Sequence, residues 1–146
     1  SDGHGFLKSE TWTEVAYYGD VSTAFADVTG DGLADAIVVS NGALGRGITV
    51  RRSDGRRFLA NESWTREAFV GARGTFFADV TGDGRADAIV NNDNARDRGI
   101  TVRRSDGYGF LANETWTDGI YSGNKGTWFA DVTGDGRADA IVVNAP

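Results

Sequence analysis

The stretch Phe77-Ala-Asp-Val-Thr-Gly-Asp-Gly-Arg-Ala-Asp-Ala-Ile-Val90 occurs three times almost unchanged, its first acid falling at Asp27, Asp79 and Asp131, an even spacing of 52 residues. Trp12, Trp64 and Trp116 keep the same spacing, as do the Ser-Asp-Gly triplets that begin at Ser1, Ser53 and Ser105. No insertion or deletion breaks the register. A unit of this size cannot bury its own apolar face, so it must stack on copies of itself, and repeats of roughly 40 to 50 residues indicate solenoids or propellers.

The middle unit shows what is being stacked. Thr75–Val80 is a short β-prone run, and Ala88–Val90 resumes the apolar pattern after an Asp/Gly-rich loop. Gly99–Arg103 alternates apolar and polar residues, Asp106-Gly107 favours a tight hairpin, and Phe110–Thr117 returns with Leu111 and Trp116. No segment has helical periodicity, and the 21 glycines punctuate at regular intervals. Four short strands per unit predict an all-β chain built as blades of a β-propeller. The kelch repeat has nearly this length but lacks the Gly-Asp-Gly loop.

That loop carries the chemistry. In Asp79-Val-Thr81-Gly-Asp83-Gly84-Arg85-Ala-Asp87, oxygen-bearing side chains stand at positions one, three, five and nine, with a glycine at six for a sharp turn. Calcium takes about six to eight hard oxygen ligands, and position seven of a calcium loop usually gives a backbone carbonyl, the group Arg85 would offer. An EF-hand needs Glu at position twelve; Val90 stands there, inside the next strand. The pattern predicts a strand-loop-strand site closed by Asp87. The alternative is a metal-free Asx-type turn whose carboxylates accept backbone N–H bonds. Three carboxylates within nine residues repel one another unless a cation compensates, which favours the metal.

These residues resemble the FG-GAP repeats, also called VCBS repeats, of integrin α-subunit propellers, Psathyrella-type fungal lectins and many secreted bacterial proteins. The resemblance spans essentially the whole chain. It implies three Ca²⁺ sites: Asp27, Thr29, Asp31, the Leu33 carbonyl and Asp35; Asp79, Thr81, Asp83, the Arg85 carbonyl and Asp87; and Asp131, Thr133, Asp135, the Arg137 carbonyl and Asp139. Two departures stand out. Thr replaces the commoner Asp or Asn at position three, and the family's Phe-Gly is Phe-Ala at Phe25, Phe77 and Phe129. The ion is expected to staple a blade rather than to catalyse or hold a ligand, and three of them would cancel the formal net charge of −6.

Composition narrows the function. There is no Cys, so metal loops would take over the stapling role that disulfides play in small secreted modules. The acidic balance argues against nucleic acid, and Arg51-Arg52 and Arg103-Arg104 recur once per unit as a solvated strand face rather than a basic patch. No run reaches the roughly 20 apolar residues of a membrane span, and no signal peptide is visible. The single His4 has no equivalent in the other units, no Ser has a His or Lys partner in a recognisable motif, and Glu10, Glu62 and Glu114 recur at one blade position, as structural residues would. The chain is therefore read as noncatalytic and extracellular. The sequons at Asn61 and Asn113 lie on a predicted strand and are read as coincidence.

Binding is the remaining class. Trp12, Trp64 and Trp116 suit core packing between blades, and Phe25, Phe77 and Phe129 more firmly so. Ala24, Phe76 and Trp128 differ among the units, as do the loops 41–46 and 92–98. Tyr17, Tyr18, Phe69 and Tyr121, together with Trp64, Trp116 and Trp128, are candidates to line clefts between blades. The resemblance to propeller lectins implies carbohydrate there; the alternative is a protein-interaction or scaffold propeller.

The expected organisation is the end of a split blade over 1–22, blades over 23–74 and 75–126, and the first two strands of a split blade over 127–146. Three whole units would take ten residues more than the 146 present, the equivalents of Ala95–Arg104. A ring needs about four to eight blades, so closure is expected to require copies of this chain or further blades of a longer one.

Overall fold

The computed structural model describes residues 1–43, 45–94 and 96–146. Leu44 and Ala95, which fall in the two variable loops singled out above, lie outside the described residues. Among the described residues there is no helix, and the strands form three antiparallel sheets. The first runs β1 (Ser22–Ala26), β2 (Asp35–Gly42), β3 (Gly45–Ser53), β4 (Phe58–Ser63), each strand pairing with the next. The second repeats that order as β5 (Gly74–Ala78), β6 (Asp87–Asp93), β7 (Arg98–Arg103) and β8 (Glu114–Thr115), and the third holds β9 (Gly126–Ala130) and β10 (Asp139–Val143).

The register repeats with the sequence: Phe25 faces Ala36, Phe77 faces Ala88, and Phe129 faces Ala140. The predicted turn between the third and fourth strands forms as expected. Asp54 Oδ1 accepts from the Arg56 and Arg57 amides at 2.9 Å, and Gly55 takes φ 83°, a conformation that costs glycine little.

Successive side chains on a strand point to opposite faces, so an apolar run without alternation means both faces are covered. Residues 35–40 of β2 are all buried. One face, Ile37 and Val39 with Ile48 and Val50 of β3, packs against Ala88, Val90, Phe77 and Phe110 of the second sheet. The second sheet repeats this forward face with Val80, Ile89, Ile100 and Val102, against Phe129, Ala138 and Ala140 of the third. Each sheet thus turns a forward face to its successor and a rear face to its predecessor. Trp64 and Phe110 close the first junction, edge to face at 5.1 Å, each less than a tenth exposed; burying such rings contributes about 1.5–3 kcal/mol apiece.

Three expectations are corrected. Phe25 is 62% exposed, whereas Phe77 and Phe129 are partly buried, because no sheet stands in front of the first rear face. The fourth strand of the second unit shrinks from the expected Phe110–Thr117 to Glu114–Thr115; the segment still follows β7 through irregular bonds, Leu111 N to Arg104 O and Trp116 N to Ile100 O. The arginine pairs are not simply solvated. Arg52 and Arg104 reach Glu62 and Glu114 at 2.9 and 2.6 Å, while Arg51 and Arg103 lie over the rings of Tyr17 and Phe69 at 4.3 and 4.8 Å.

The second junction contains a polar exception. Asn91 stands where the other units have Val39 and Val143; it is fully buried, and its Nδ2 donates to the Tyr121 carbonyl at 2.7 Å and to Thr127 Oγ1 at 3.2 Å.

Candidate functional site

The three acidic loops share one construction. Asp27 Oδ1 accepts from Gly30 N at 2.6 Å and from Asp31 N and Thr29 Oγ1 at 3.3 Å, while Oδ2 accepts from Gly32 N at 2.7 Å. Asp79 does the same with Gly82, Asp83, Thr81 and Gly84. Asp131 keeps the bonds from Gly134 and Gly136 at 2.6 and 2.8 Å. The glycines at positions four and six make this wrap possible, with φ between 79° and 85° in every loop. Sequence reasoning identified only the glycine at six as a turn requirement and missed position four. Its invariance among the three units was the signal that could have found it.

The position-five acids turn to the backbone of their own loops. Asp31, Asp83 and Asp135 each accept the amide of position seven at 2.9 Å. The Arg85 side chain also reaches Asp83 at 2.6 Å, and Arg137 approaches Asp135 at 3.6 Å, whereas Leu33 offers Asp31 no such cation.

The position-nine acids face the sheet. Asp35 accepts from Val28 N at 3.1 Å and Ser53 N at 2.9 Å; Asp87 accepts from Val80 N at 3.2 Å and Ser105 N at 2.9 Å; Asp139 keeps only the bond from Val132 N, at 3.0 Å. Asp35 and Asp87 are fully buried. Desolvation pushes both carboxyls above the ordinary Asp range, the amide bonds pull back, and neighbouring acids, Asp31 for one and Asp83 and Asp79 for the other, push further up. Asp131 is exposed, and the Gly136 and Gly134 amides hold its carboxyl below the usual range.

The loops are also tied to one another. Ala86 N donates to Asp27 O and Ala138 N to Asp79 O, both at 2.7 Å. Ser105 Oγ donates to Val28 O across the first junction at 2.6 Å. The Arg85 stem lies against Gly30, where an added Cβ would come within 2.9 Å of its Cγ, and Arg137 lies similarly over Gly82. The repeated serine therefore plays two parts that its sequence context does not announce. Its amide holds the position-nine acid, and in the second unit its hydroxyl joins two sheets.

The donor set of each loop is hard oxygen throughout and fits calcium in kind. The arrangement is nevertheless that of a closed Asx-type turn, in which the carboxylates are engaged with amides. Among the described residues no three acidic side chains converge as a metal-holding group.

The candidate ring residues are not equivalent. Trp64 and Phe69 are each 4% exposed and are used in packing between sheets. Tyr17 is half-buried, its hydroxyl 3.1 Å from Thr49 Oγ1, and Tyr121 donates to the Ala140 carbonyl at 2.9 Å. Tyr18, Trp116 and Trp128 are exposed. The repeated glutamates orient the tryptophans: Glu10, Glu62 and Glu114 accept the indole N–H of Trp12, Trp64 and Trp116 at 3.4, 3.0 and 3.2 Å.

Residues 27–90 match the family model of the FG-GAP-like repeat. This segment is an FG-GAP-like repeat. The match opens on the first acidic loop and closes just past the second, so the FG-GAP-like segment takes in both loops, β2 to β5 and the first junction. No curated protein matches the chain.

Proposed function

We propose that this chain is a noncatalytic β-propeller module of the extracellular space, stapled by calcium at its three acidic loops, with a lectin-like carbohydrate site at its exposed aromatic rings. The observation that carries the reading is the chaining of the loops. The same acid-headed turn recurs at the same place on each sheet, and the second and third loops each donate a backbone bond to the one before. Asp27, Thr29, Asp31, the Leu33 carbonyl and Asp35 would hold the first ion, with their equivalents in the other two loops. A bound divalent cation supplies charge compensation for acids that repel one another; nothing in the reading makes it a catalyst.

The carbohydrate part rests on Tyr18, Trp116 and Trp128, whose exposed rings offer apolar faces to a sugar, with Trp116 oriented by its bond to Glu114. A second reading, a protein-interaction or scaffold module, is favoured by one observation: the aromatic clefts do not repeat from unit to unit, since Trp64 is buried where Trp116 is exposed.

The test is melting of chelator-stripped protein against calcium, followed by a glycan array with and without EGTA. If the loops bind with the weak affinities of extracellular modules, calcium at about ten times Kd stabilises by about 1.4 kcal/mol per site, roughly 4 kcal/mol for three. A melting temperature that does not move with calcium removes the staple. Folded protein that binds no glycan removes the lectin and leaves the interaction module.

A further inference from the structure

The two ends of the stack carry the two halves of one interface. At the C-terminal end the forward face of the third sheet lies open: Trp128 is 47% exposed, Val132 66% and Val143 43%. At the other end the rear face of the first sheet presents Phe25, 62% exposed, with Phe58 5.9 Å from it and Trp12 5.3 Å from Phe58. These residues are the 52-residue equivalents of groups that meet inside the molecule. Phe76 packs on Phe129 at 5.1 Å at the second junction, and one repeat further along that pair becomes Trp128 against Phe25 of another copy. Val28 and Ile37 pack toward Phe77, Ala88 and Phe110 at the first; two repeats further, Val132 and Ile141 would face Phe25, Ala36 and Phe58.

Polar groups match in the same register. Asp27 O accepts from Ala86 N and Asp79 O from Ala138 N, so Asp131 O is placed to accept from Ala34 N of a second copy. Ser105 Oγ donates to Val28 O, which sets Ser53 Oγ against Val132 O. An added Cβ at Gly134 would meet nothing within 4 Å, whereas Gly30 and Gly82 lie beneath Arg85 and Arg137; Leu33 of the second copy occupies the corresponding place over Gly134.

The surface area agrees. A compact monomer of 15.5 kDa presents about 7,200 Å², and this chain presents 8930 Å². The excess is about 1,700 Å², comparable to the roughly 1,200–2,000 Å² buried in a standard protein interface. Part of it belongs to the exposed residues 1–11, and the open sheet faces contribute the rest.

We propose that the occupant of each open face is a second copy of this chain, packed head to tail so that the forward face of β9–β10 in one copy covers the rear face of β1–β4 in the next. The contact is heterologous, and such contacts either close into rings or run on as filaments. The proposal rests on the stacked-sheet part of the propeller reading and on neither calcium nor carbohydrate; it covers Trp128 in the assembly and leaves Tyr18 and Trp116 as the exposed rings of the carbohydrate reading.

The experiment is sedimentation velocity from about 1 to 200 μM, a range chosen to bracket micromolar association, in EGTA and in calcium. It uses the wild-type chain and two variants, Phe25→Asp and Val132→Asp, whose melting is checked first. Both positions are exposed, so the fold is expected to survive. The wild type should associate with concentration. Each variant alone should be monomeric, since every head-to-tail contact needs one intact end of each kind. An equimolar mixture should form one heterodimer, through the intact C-terminal face of the Phe25→Asp chain and the intact N-terminal face of the Val132→Asp chain, and should go no further. A wild type that stays monomeric throughout, a variant that still associates alone, or a mixture that stays monomeric overturns the proposal. Glycan binding by a monomer would leave the carbohydrate reading standing while this one falls.

Discussion

Phe58 and Phe110 occupy the same position of successive units, yet their surroundings differ, and replacing each with Ala tests the stacking argument directly. Phe110 is 8% exposed, with its ring 5.1 Å from Trp64 and 6.0 Å from Phe77, and so joins two sheets. Phe58 is partly buried and touches Trp12 and Phe25 at a face with no sheet in front. Truncating a well-buried Phe costs about 3–5 kcal/mol, the transfer term plus the cavity left behind. At the open face solvent fills the space and the cavity term falls away, leaving about 1–2 kcal/mol. For a chain of this size each kcal/mol shifts the melting temperature by about 2–4 °C, so Phe110→Ala should melt roughly 10 °C below wild type and Phe58→Ala only a few degrees below it. The assay is thermal and urea unfolding by far-ultraviolet circular dichroism, which reads all three sheets, because repeat arrays can lose their cooperativity. It is run in the Val132→Asp background, so that a second copy does not cover Phe58. Equal losses in the two variants would refute the claim that face-to-face stacking, rather than the local sequence of each unit, determines what this residue contributes.

Three further outcomes follow from the loops and the first junction. Because the Asp35 and Asp87 carboxyls are raised above 3.8 in the folded chain, they bind protons more tightly folded than unfolded, so their contribution to metal-free stability is greatest below that value and is lost as pH rises through the folded pKa. Melting temperatures of wild type and Asp35→Asn, compared from acid to neutral pH in EGTA, should show the wild type losing ground to the variant as pH rises; no change in the difference would refute it. Ser105→Ala removes the 2.6 Å bond to Val28 O and should cost about 1 kcal/mol in urea unfolding, more than Ser53→Ala, whose hydroxyl accepts the Gly55 amide at 3.1 Å and makes no bond across a junction among the described residues. Gly30→Ala should be worse than Gly134→Ala: both positions have positive φ, which costs about 1 kcal/mol with a Cβ, but only at Gly30 does that Cβ meet an arginine stem, at 2.9 Å. Identical melting of the two variants would show that the Arg85 contact has no weight.

The strand order within each unit and the position of the acidic loops were legible in the sequence because both are local. A period-two pattern, a turn with Asp-Gly and a run of acids and glycines each act within about ten residues. What was not legible depends on partners a whole unit away. Phe25 reads as core because its two equivalents are, but whether a ring at that position is buried depends on the sheet before it. Trp64 and Trp116 sit in similar sequences, each with a bonded glutamate, yet Trp64 meets Phe110 of the following unit and is buried while Trp116 is exposed. The spacing of the position-nine acids does not announce that their oxygens also accept backbone amides, including one from a serine 18 residues downstream.

Asn91 makes the same point from the opposite direction. A unit optimised only for stacking would carry valine there, as Val39 and Val143 do, yet the second junction buries an amide whose Oδ1 has no partner. Its Nδ2 finds the Tyr121 carbonyl and Thr127 Oγ1, and both lie across the junction rather than in its own sheet. The acceptors recur at the first junction, as the Phe69 carbonyl and the Thr75 hydroxyl, yet Val39 stands opposite them and has nothing to donate. The three units are near copies, and near copies can stack in the wrong order. An amide that donates across the second junction, where valine stands at the first, makes the two contacts unlike, as a single buried asparagine distinguishes registers in coiled coils.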